Sequence, residues 1–270
     1  MKRLTIKRKH LGYPYALFMI LFIIIPLIII AFYAFTNWGT GEPFHLTFNN
    51  VVKFFTSPND ISAFIYSIWI GFLTTFFCLI IGYPIAYILS TNKFFKRSGV
   101  LIVLFILPMW VSFLLRTLAT REIFAALNFP FGELTVAIGM VYNFLPFMIL
   151  PIYTTLLKMD KSYVEAAQDL GANPFRVFIK VILPLSMPGV ISGIIMVFMP
   201  TISTFVIADL LSFNTIQLFG NLINLSFTGT PLWNYGAALA FIMLIIIGIA
   251  MFFVKKFEKE DVAVAGGGLW

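Results

Sequence analysis

The polar residues that could contact a solute inside a membrane are few, and they lie within long apolar stretches of the sequence. Thr201, Ser203 and Thr204 follow one another beside Pro200 in the fragment MPTIST. Polar groups near the middle of a membrane span are costly in lipid and often mark a path for a polar solute. The other members of this candidate set are Tyr142, Asn143, Trp110, Ser112 and Asp209. The alternative is that the hydroxyls bond their own helices and that Asn143 joins neighbouring helices.

Asp209 differs from the rest of the set because it brings a carboxylate to the outer end of an apolar run. A carboxylate there needs water, a cation or a partner charge. Glu122 and Glu133 are expected on the same side, where all three could attract a cationic solute. The alternatives are a water-facing cap and a salt bridge to Arg116 or Arg121.

Catalytic and metal-binding motifs are missing from the sequence. The phosphate-binding pattern G-x-x-x-x-G-K-[ST] does not occur, nor do H-E-x-x-H and G-x-S-x-G. His10 and His45 are the only histidines, and both are expected at a solvated surface. Cys78 is the single cysteine, which excludes an internal disulfide. The sequence therefore predicts a non-catalytic chain that holds no cofactor and no metal ion.

The composition places most of the chain in a lipid bilayer. Hydrophobic residues make up 60% of the sequence and charged residues 11%, whereas soluble domains carry about 25% charged residues. The basic residues are dispersed among loops, so the net charge of +7 does not indicate nucleic-acid binding. We therefore expect an all-α, polytopic membrane protein.

Apolar runs of about 20 residues locate the membrane spans. A long last run is divided by SFTGTPLWN (226–234), whose Gly, Pro and Asn indicate a loop. The first run is too long for a signal peptide and is expected to be retained. We predict a single domain over residues 1–270, with six transmembrane helices near 14–36, 61–90, 99–119, 134–157, 188–212 and 235–255.

The distribution of Lys and Arg predicts the orientation of these spans. With both termini in the cytoplasm, three basic residues lie outside: Lys53, Arg116 and Arg121. The fifteen on the cytoplasmic side are Lys2, Arg3, Lys7, Arg8, Lys9, Lys93, Lys96, Arg97, Lys158, Lys161, Arg176, Lys180, Lys255, Lys256 and Lys259. The loop at 158–187 is therefore expected in the cytoplasm.

This loop is predicted to begin with a short capped helix. Ser162 and Glu165 fit the capping box S-x-x-E, which starts a helix. Gly171 suits the left-handed position that ends one.

A second helix is predicted directly afterwards. Asn173 is expected as its cap and Pro174 in its first turn. Pro184 and Pro188 are expected to end it and to introduce the fifth span. Two short helices around a bend make a rigid projection that suits docking to another protein. The alternative is an ordinary interfacial loop.

The same loop resembles the EAA loop of permease subunits of ATP-binding-cassette (ABC) importers. The pattern is E-A-A, three residues, Gly, nine residues, an aliphatic residue, one more residue, and Leu-Pro. Valine stands at the aliphatic position, where isoleucine is commoner in the family. The resemblance implies that this loop enters a groove on a separate ATPase, through Glu165, Ala166, Ala167, Asp169, Gly171, Phe175, Val181, Leu183 and Pro184.

Other fragments are similar to the permease subunits of spermidine/putrescine importers, in particular to the first of their two permeases. They are LPMWVSFLLRTLA (107–119), YNFLPFMILPIYTTLLKMDKSYVEAAQDLGA (142–172) and FVIADLLSF (205–213). The resemblance implies a type I (MetI-like) importer architecture in a bacterial cell membrane, with polyamine as cargo. It also implies three partners: an ABC ATPase homodimer that binds ATP and Mg²⁺, a second homologous permease, and an extracytoplasmic polyamine-binding protein.

One departure and two alternatives stand beside this resemblance. The outer stretch TREIFAALNFPFGE is shorter than expected, which leaves the outer rim of the pathway open. A permease of the same class could carry another small solute. A secondary carrier or channel is the other alternative, but the paired repeats and midplane ion ligands of a carrier are not found.

Overall fold

The structure is a computed structural model that describes residues 13–39, 43–91, 100–213, 215–229 and 232–266. Helices form its regular secondary structure within these ranges. Within these ranges the only strand-like feature is one bridge between Thr36 and Leu46. The predicted all-α fold class is confirmed. Nine residues of the sequence-based predictions lie outside the described ranges, namely Lys2, Arg3, Lys7, Arg8, Lys9, His10, Lys93, Lys96 and Arg97.

Eleven helices follow one another in the described ranges. They are α1 Tyr13–Ala34, α2 Asn49–Thr56, α3 Pro58–Thr91, α4 Val100–Trp110, α5 Phe113–Ala126, α6 Glu133–Lys158, α7 Ser162–Asp169, α8 Pro174–Ser203, α9 Val206–Ser212, α10 Phe219–Thr228 and α11 Trp233–Gly266. Five segments are long and apolar enough to cross a membrane: α1, α3, α6, α8 and Trp233–Phe252 of α11. The bent pair α4–α5 makes a sixth if it is one span.

The third predicted span, 99–119, is not one straight helix. The chain turns by 101° between the described parts of α4 and α5. Pro108 lies one turn before the bend, and the N–H of Val111 donates to its carbonyl at 3.3 Å. A proline lacks the N–H of the helical ladder and crowds the turn before it, whereas this bend lies after Pro108, at Val111 and Ser112.

The fifth predicted span, 188–212, begins and ends at other residues in the structure. Helix α8 starts at Pro174 and passes through a π-helical turn at Phe178–Ile182. In this turn the N–H of Leu183 donates to the carbonyl of Phe178, and the wider ring accommodates Pro184 without ending the helix. The predicted helix end at Pro184 and Pro188 is therefore wrong. The helix stops instead after Ser203, and α9 follows.

The chain divides into two compact units. The first comprises the described residues of Met1–Ile61 and Leu222–Ile246, and its buried centre includes Ala34, Ala237 and Ala238. The second comprises Ser62–Asn221 and the described part of Ile247–Trp270. Its core lies between α3, α6, α8 and α9 and contains residues such as Cys78, Met140, Ile152, Val197 and Ile207.

Helices α6 and α8 approach each other closely within the second unit. A Cβ added at Gly193 would lie 2.7 Å from the sulfur of Met148 and 3.2 Å from its carbonyl oxygen. Small residues allow this kind of backbone approach between membrane helices. The contact fixes the helix that follows the loop against the helix that precedes it.

Candidate functional site

The loop between α6 and α8 begins with a cap other than the predicted one. Ser162 is already the first residue of α7, and the carboxylate of Asp160 accepts a hydrogen bond from its N–H at 3.0 Å. The capping box of Ser162 and Glu165 is therefore wrong. The same hydrogen bond, with a further one from the Ser162 side chain, holds the pKa of Asp160 below its ordinary value, because both stabilise the carboxylate.

Gly171 forms the bend of the loop, as predicted. Its φ is +77°, in the left-handed region that favours glycine. Its N–H donates to the carbonyl of Gln168 at 2.8 Å, and the N–H of Ala172 donates to that of Ala167 at 3.1 Å. A Cβ added at Gly171 would meet nothing within 4 Å. The requirement for glycine is therefore one of backbone conformation, without a steric contribution from neighbours.

The cap of the following helix agrees with its prediction. Asn173 accepts a hydrogen bond from the N–H of Arg176 at 2.8 Å, and Pro174 occupies the first turn. Together with Gly171, this cap sets the direction in which α7 projects from α8.

One side of the loop presents apolar, small and acidic side chains to solvent. Leu170 is 89% exposed, Phe175 72% and Tyr163 57%. Glu165, Ala166 and Asp169 are exposed beside them. We call these six residues the coupling face, after the role that the resemblance implies for this loop. The sequence-based set did not include Leu170 and Tyr163, although an apolar residue directly before the bend glycine would have pointed to Leu170.

The opposite side of the loop is seated on the core. Val164 and Ala167 of α7 are partly buried and pack against the core cluster. Val181 and Leu183, expected to serve coupling, also pack there, whereas Pro184 is exposed. These contacts place Val181 and Leu183 against the core, and their part in coupling stays a prediction.

Aromatic residues hold the start of α8 against α3. The ring of Phe178 makes edge-to-face contacts with Tyr83 and Tyr87, with 5.7 Å between ring centroids in each pair. The hydroxyls of Tyr83 and Ser186 are 2.8 Å apart and share a hydrogen bond. The sequence reasoning missed these residues, although two tyrosines four positions apart share one helix face and could have indicated a contact.

Three of the eight candidate residues in the spans bond within their own helices. The hydroxyl of buried Thr201 donates to the carbonyl of Val197 at 2.6 Å, and that of Ser203 donates to Met199 at 3.2 Å. The Asn143 amide donates to the carbonyl of Gly139 at 2.9 Å. Thr204 lies in the break between α8 and α9. These contacts agree with the alternative in which polar side chains bond to the backbone of their own helix.

The remaining members of the set lie in different surroundings. Tyr142 is half exposed and lines an apolar cavity with Ile138 and Val141. Trp110 is 80% exposed at the end of α4, and Ser112 is exposed in the break after it. The structure therefore distributes the predicted set over several environments.

Asp209 lies in the first turn of α9 and is partly buried. Its carboxylate accepts a hydrogen bond from the side-chain amide of Asn221, whose own oxygen accepts from the N–H of Leu218 at 3.0 Å. The guanidinium of Arg121 instead lies 4.8 Å from the ring centroid of Phe213. In the described ranges Asp209 has no salt bridge to Arg116 or Arg121, so that alternative is wrong.

Two buried side chains, one in α5 and one in α6, have polar atoms without a partner among the described residues. They are Arg116, through Nε and Nη1, and Asn143, through Oδ1. Arg116 is 7% exposed, and its guanidinium lies 6.0 Å from the ring centroid of Phe113. Buried donors without acceptors are uncommon. They indicate that water, a solute or another chain supplies the missing hydrogen-bond partners.

Comparison with known families gives one match over nearly the whole chain. Residues 6–260 match the model of the binding-protein-dependent transport system inner membrane component. The spermidine/putrescine transport system permease protein PotB of Haemophilus influenzae is 34% identical over 260 residues, which cover 89% of this chain and 90% of that protein. Its namesake in Escherichia coli is 33% identical over 211 residues, 72% of this chain and 76% of that protein.

Two solved structures share the fold at low sequence identity. A bacterial ABC transporter involved in the import of the acidic polysaccharide alginate has a TM-score of 0.69 at 12% identity, covering 93% of this chain and 94% of its own. The MetNI methionine ABC transporter in inward-facing conformations has a TM-score of 0.57 at 15% identity, covering 76% and 99%.

Proposed function

Because this chain belongs to the family of binding-protein-dependent transport system inner membrane components, we propose that it is a membrane subunit of an ATP-driven polyamine importer. The observation that carries the proposal is the match of most of the chain to relatives named as spermidine/putrescine permeases. The fold shared with two solved ABC transporters supports the same class. In this assignment the chain moves solute and performs no catalysis.

The coupling face is proposed as the contact with an ATPase dimer that binds ATP and Mg²⁺. Leu170 and Phe175 expose apolar surface that a groove on another protein would bury, at a gain of about 1.5–3 kcal/mol for each side chain. Ala166 beside them allows close approach. The face belongs to the cytoplasm in this assignment, and both chain termini lie on the same side, in agreement with the distribution of Lys and Arg.

The path for the cargo is proposed to pass Asp209 and the break between α8 and α9. A carboxylate held by a neutral amide keeps its negative charge available for a cation. Thr204 lies in the adjacent break, where backbone carbonyls leave the helical ladder. A second, homologous permease completes the path, and an extracytoplasmic binding protein delivers the polyamine.

Uptake into liposomes tests this assignment. The chain is reconstituted with the second permease and the ATPase, and the binding protein is added outside with labelled spermidine. We expect uptake that requires ATP inside, with labelled histidine and sulfate excluded. Uptake of histidine or sulfate in preference to spermidine would show that the chain carries another cargo. Uptake without ATP would show that the transporter is not driven by ATP.

A further inference from the structure

A cavity in the first unit is lined by aromatic side chains and by one charged residue, Lys53. Its volume is about 660 Å³, and it lies where α1 ends and α11 begins. The residues that matter for its chemistry are Tyr33, Trp38, Lys53, Trp233, Asn234 and Tyr235. We call it the vestibular cavity, since the proposed orientation of the spans opens it to the outside.

A cation already occupies one wall of the vestibular cavity. The ammonium of Lys53 lies 4.5 Å from the ring centroid of Tyr235, within the range of a cation–π interaction. Tyr235 is buried, and its hydroxyl donates a hydrogen bond to the carboxylate of Asp60. Lys53 itself is exposed on α2. Its ammonium can therefore leave the ring at little cost to the fold.

Hydrogen bonds fix the frame of this cavity. The carbonyl of Thr36 accepts from the side-chain amides of Asn50 at 3.2 Å and Asn234 at 2.6 Å. Asn50 also donates to the carbonyl of Ala34 at 3.3 Å. These bonds join the end of α1 to α2 and to the start of α11. The ring of Tyr235 is thus held in place whether or not Lys53 covers it.

We propose that the vestibular cavity binds a primary ammonium group of the cargo, and that Lys53 is a tethered substitute which the cargo displaces. The inference rests on the proposed function for the cargo and for the outward opening. A lysine side chain ends in the same group as a polyamine, an ammonium on a chain of methylenes. The ring of Tyr235 and the carboxylate of Asp60 attract cations, and Trp38 and Trp233 offer apolar faces to the methylenes.

Equilibrium binding of labelled spermidine tests the proposal. The assembled permease pair with its ATPase is placed in nanodiscs, without binding protein and without ATP. Spermidine must displace the cation–π contact of Lys53, and a contact of about 1.4 kcal/mol, within the range for such contacts, corresponds to a factor of ten, so we expect Lys53→Met to bind spermidine about tenfold more tightly than the wild type. Lys53→Arg keeps a tethered cation and should bind like the wild type. The double variant Lys53→Met/Asp60→Asn should lose the gain.

Three results would overturn the proposal. They are equal or weaker binding by Lys53→Met, an equal gain in Lys53→Arg, and a gain that survives Asp60→Asn. The first is also the result expected if the aromatic residues only anchor the span ends at the membrane interface, or if Lys53 holds a lipid phosphate.

The wild-type uptake assay separates this proposal from the proposed function. If the wild type imports spermidine but Lys53→Met binds it no more tightly, the proposed function is supported and the vestibular site is contradicted. A gain in Lys53→Met that depends on Asp60, in a complex that imports no spermidine, leaves the site standing and removes the cargo assignment. Equal melting temperatures of the variants and the wild type show that folding is not the cause.

Discussion

The coupling face and the polar residues of the spans place side chains in opposite environments. On the coupling face, apolar side chains such as Leu170 and Phe175 point into water. In the spans, hydroxyls such as that of Thr201 are buried and donate to carbonyls of their own helix. The first arrangement leaves apolar surface for another protein to cover. The second leaves few hydrogen-bonding groups for a partner to pair with.

Two charged residues of the spans depart from this pattern. Arg116 keeps two buried donors without acceptors in the described part of the chain, and Asp209 is held only by a neutral amide. Both therefore retain charge that can act on something outside this chain. The comparison shows that the proposed docking residues of the loop stand out by their exposure. In the spans, function is better sought in charges that remain uncompensated.

The largest effect is expected at Leu170. In Leu170→Asp, an interface that buried the leucine would have to bury a charge instead, at a cost of about 3–5 kcal/mol. We expect the affinity for the ATPase to fall at least about a hundredfold. Co-purification and ATPase titration on nanodiscs measure it. Leu127→Asp is the control, because Leu127 is also well exposed but lies after α5. Equal affinities for the wild type and Leu170→Asp would remove Leu170 from the interface.

Asp209→Asn tests the charge of the pathway. Asparagine is nearly the same size and can still accept from Asn221, so packing should be preserved. Loss of a charged contact with a cation costs about 1.5–3 kcal/mol, and we expect the apparent affinity for spermidine uptake to weaken by about tenfold or more. Asp160→Asn makes the same change at a helix cap in the loop and should transport normally. Wild-type rate and apparent affinity in Asp209→Asn would leave this carboxylate a structural role alone.

Gly171→Val tests the direction of the coupling face. A β-branched residue at φ +77° is strained by about 1–2 kcal/mol, so the loop should adopt another bend. We expect the transport rate and the stimulation of the ATPase to fall by about fivefold or more, while membrane insertion stays normal. Gly171→Asn is the control, since asparagine tolerates this conformation. Normal coupling in Gly171→Val would show that the bend is not needed.

Thr201→Val should have the smallest effect. The hydroxyl of Thr201 supplements a carbonyl that belongs to the ladder of α8, and valine fills nearly the same volume. We expect the uptake rate and the apparent affinity for spermidine to change by less than about twofold. A loss of cargo affinity as large as that expected for Asp209→Asn would show that this hydroxyl faces the cargo and would break the comparison.

The sequence identifies the elements whose pattern is local. Apolar runs are read directly from composition, and α6 at Glu133–Lys158 differs by one residue at each end from the predicted 134–157. The left-handed bend at Gly171 and the cap at Asn173 depend on residues within one turn, and both are as predicted.

The helix breaks could not be predicted because contacts between distant parts of the chain set them. The stretch after Ser203 remains mostly apolar, yet α9 is a separate helix because its residues bond to other parts of the chain. The hydroxyl of Thr135, at the start of α6, donates to the carbonyl of Leu211 at 2.9 Å. Likewise, the π-helical turn that accommodates Pro184 is stabilised by the packing of Phe178 against two tyrosines. The unpartnered atoms of Arg116 depend on the same kind of three-dimensional information.

The uninterrupted course of α8 has a mechanical consequence. Its 30 residues rise about 45 Å from Pro174 to Ser203, so the helix can act as a lever. Its close contacts with α6 are at Gly189 and Gly193, and a pivot at Gly193 would lie about 27 Å from Phe175 and about 15 Å from Ser203 along the axis. A tilt of roughly 5° about this point moves the loop end by about 2 Å and the far end by about 1 Å in the opposite direction. The arm on the loop side is the longer one, so a large movement there is converted into a smaller, more forceful movement at Ser203.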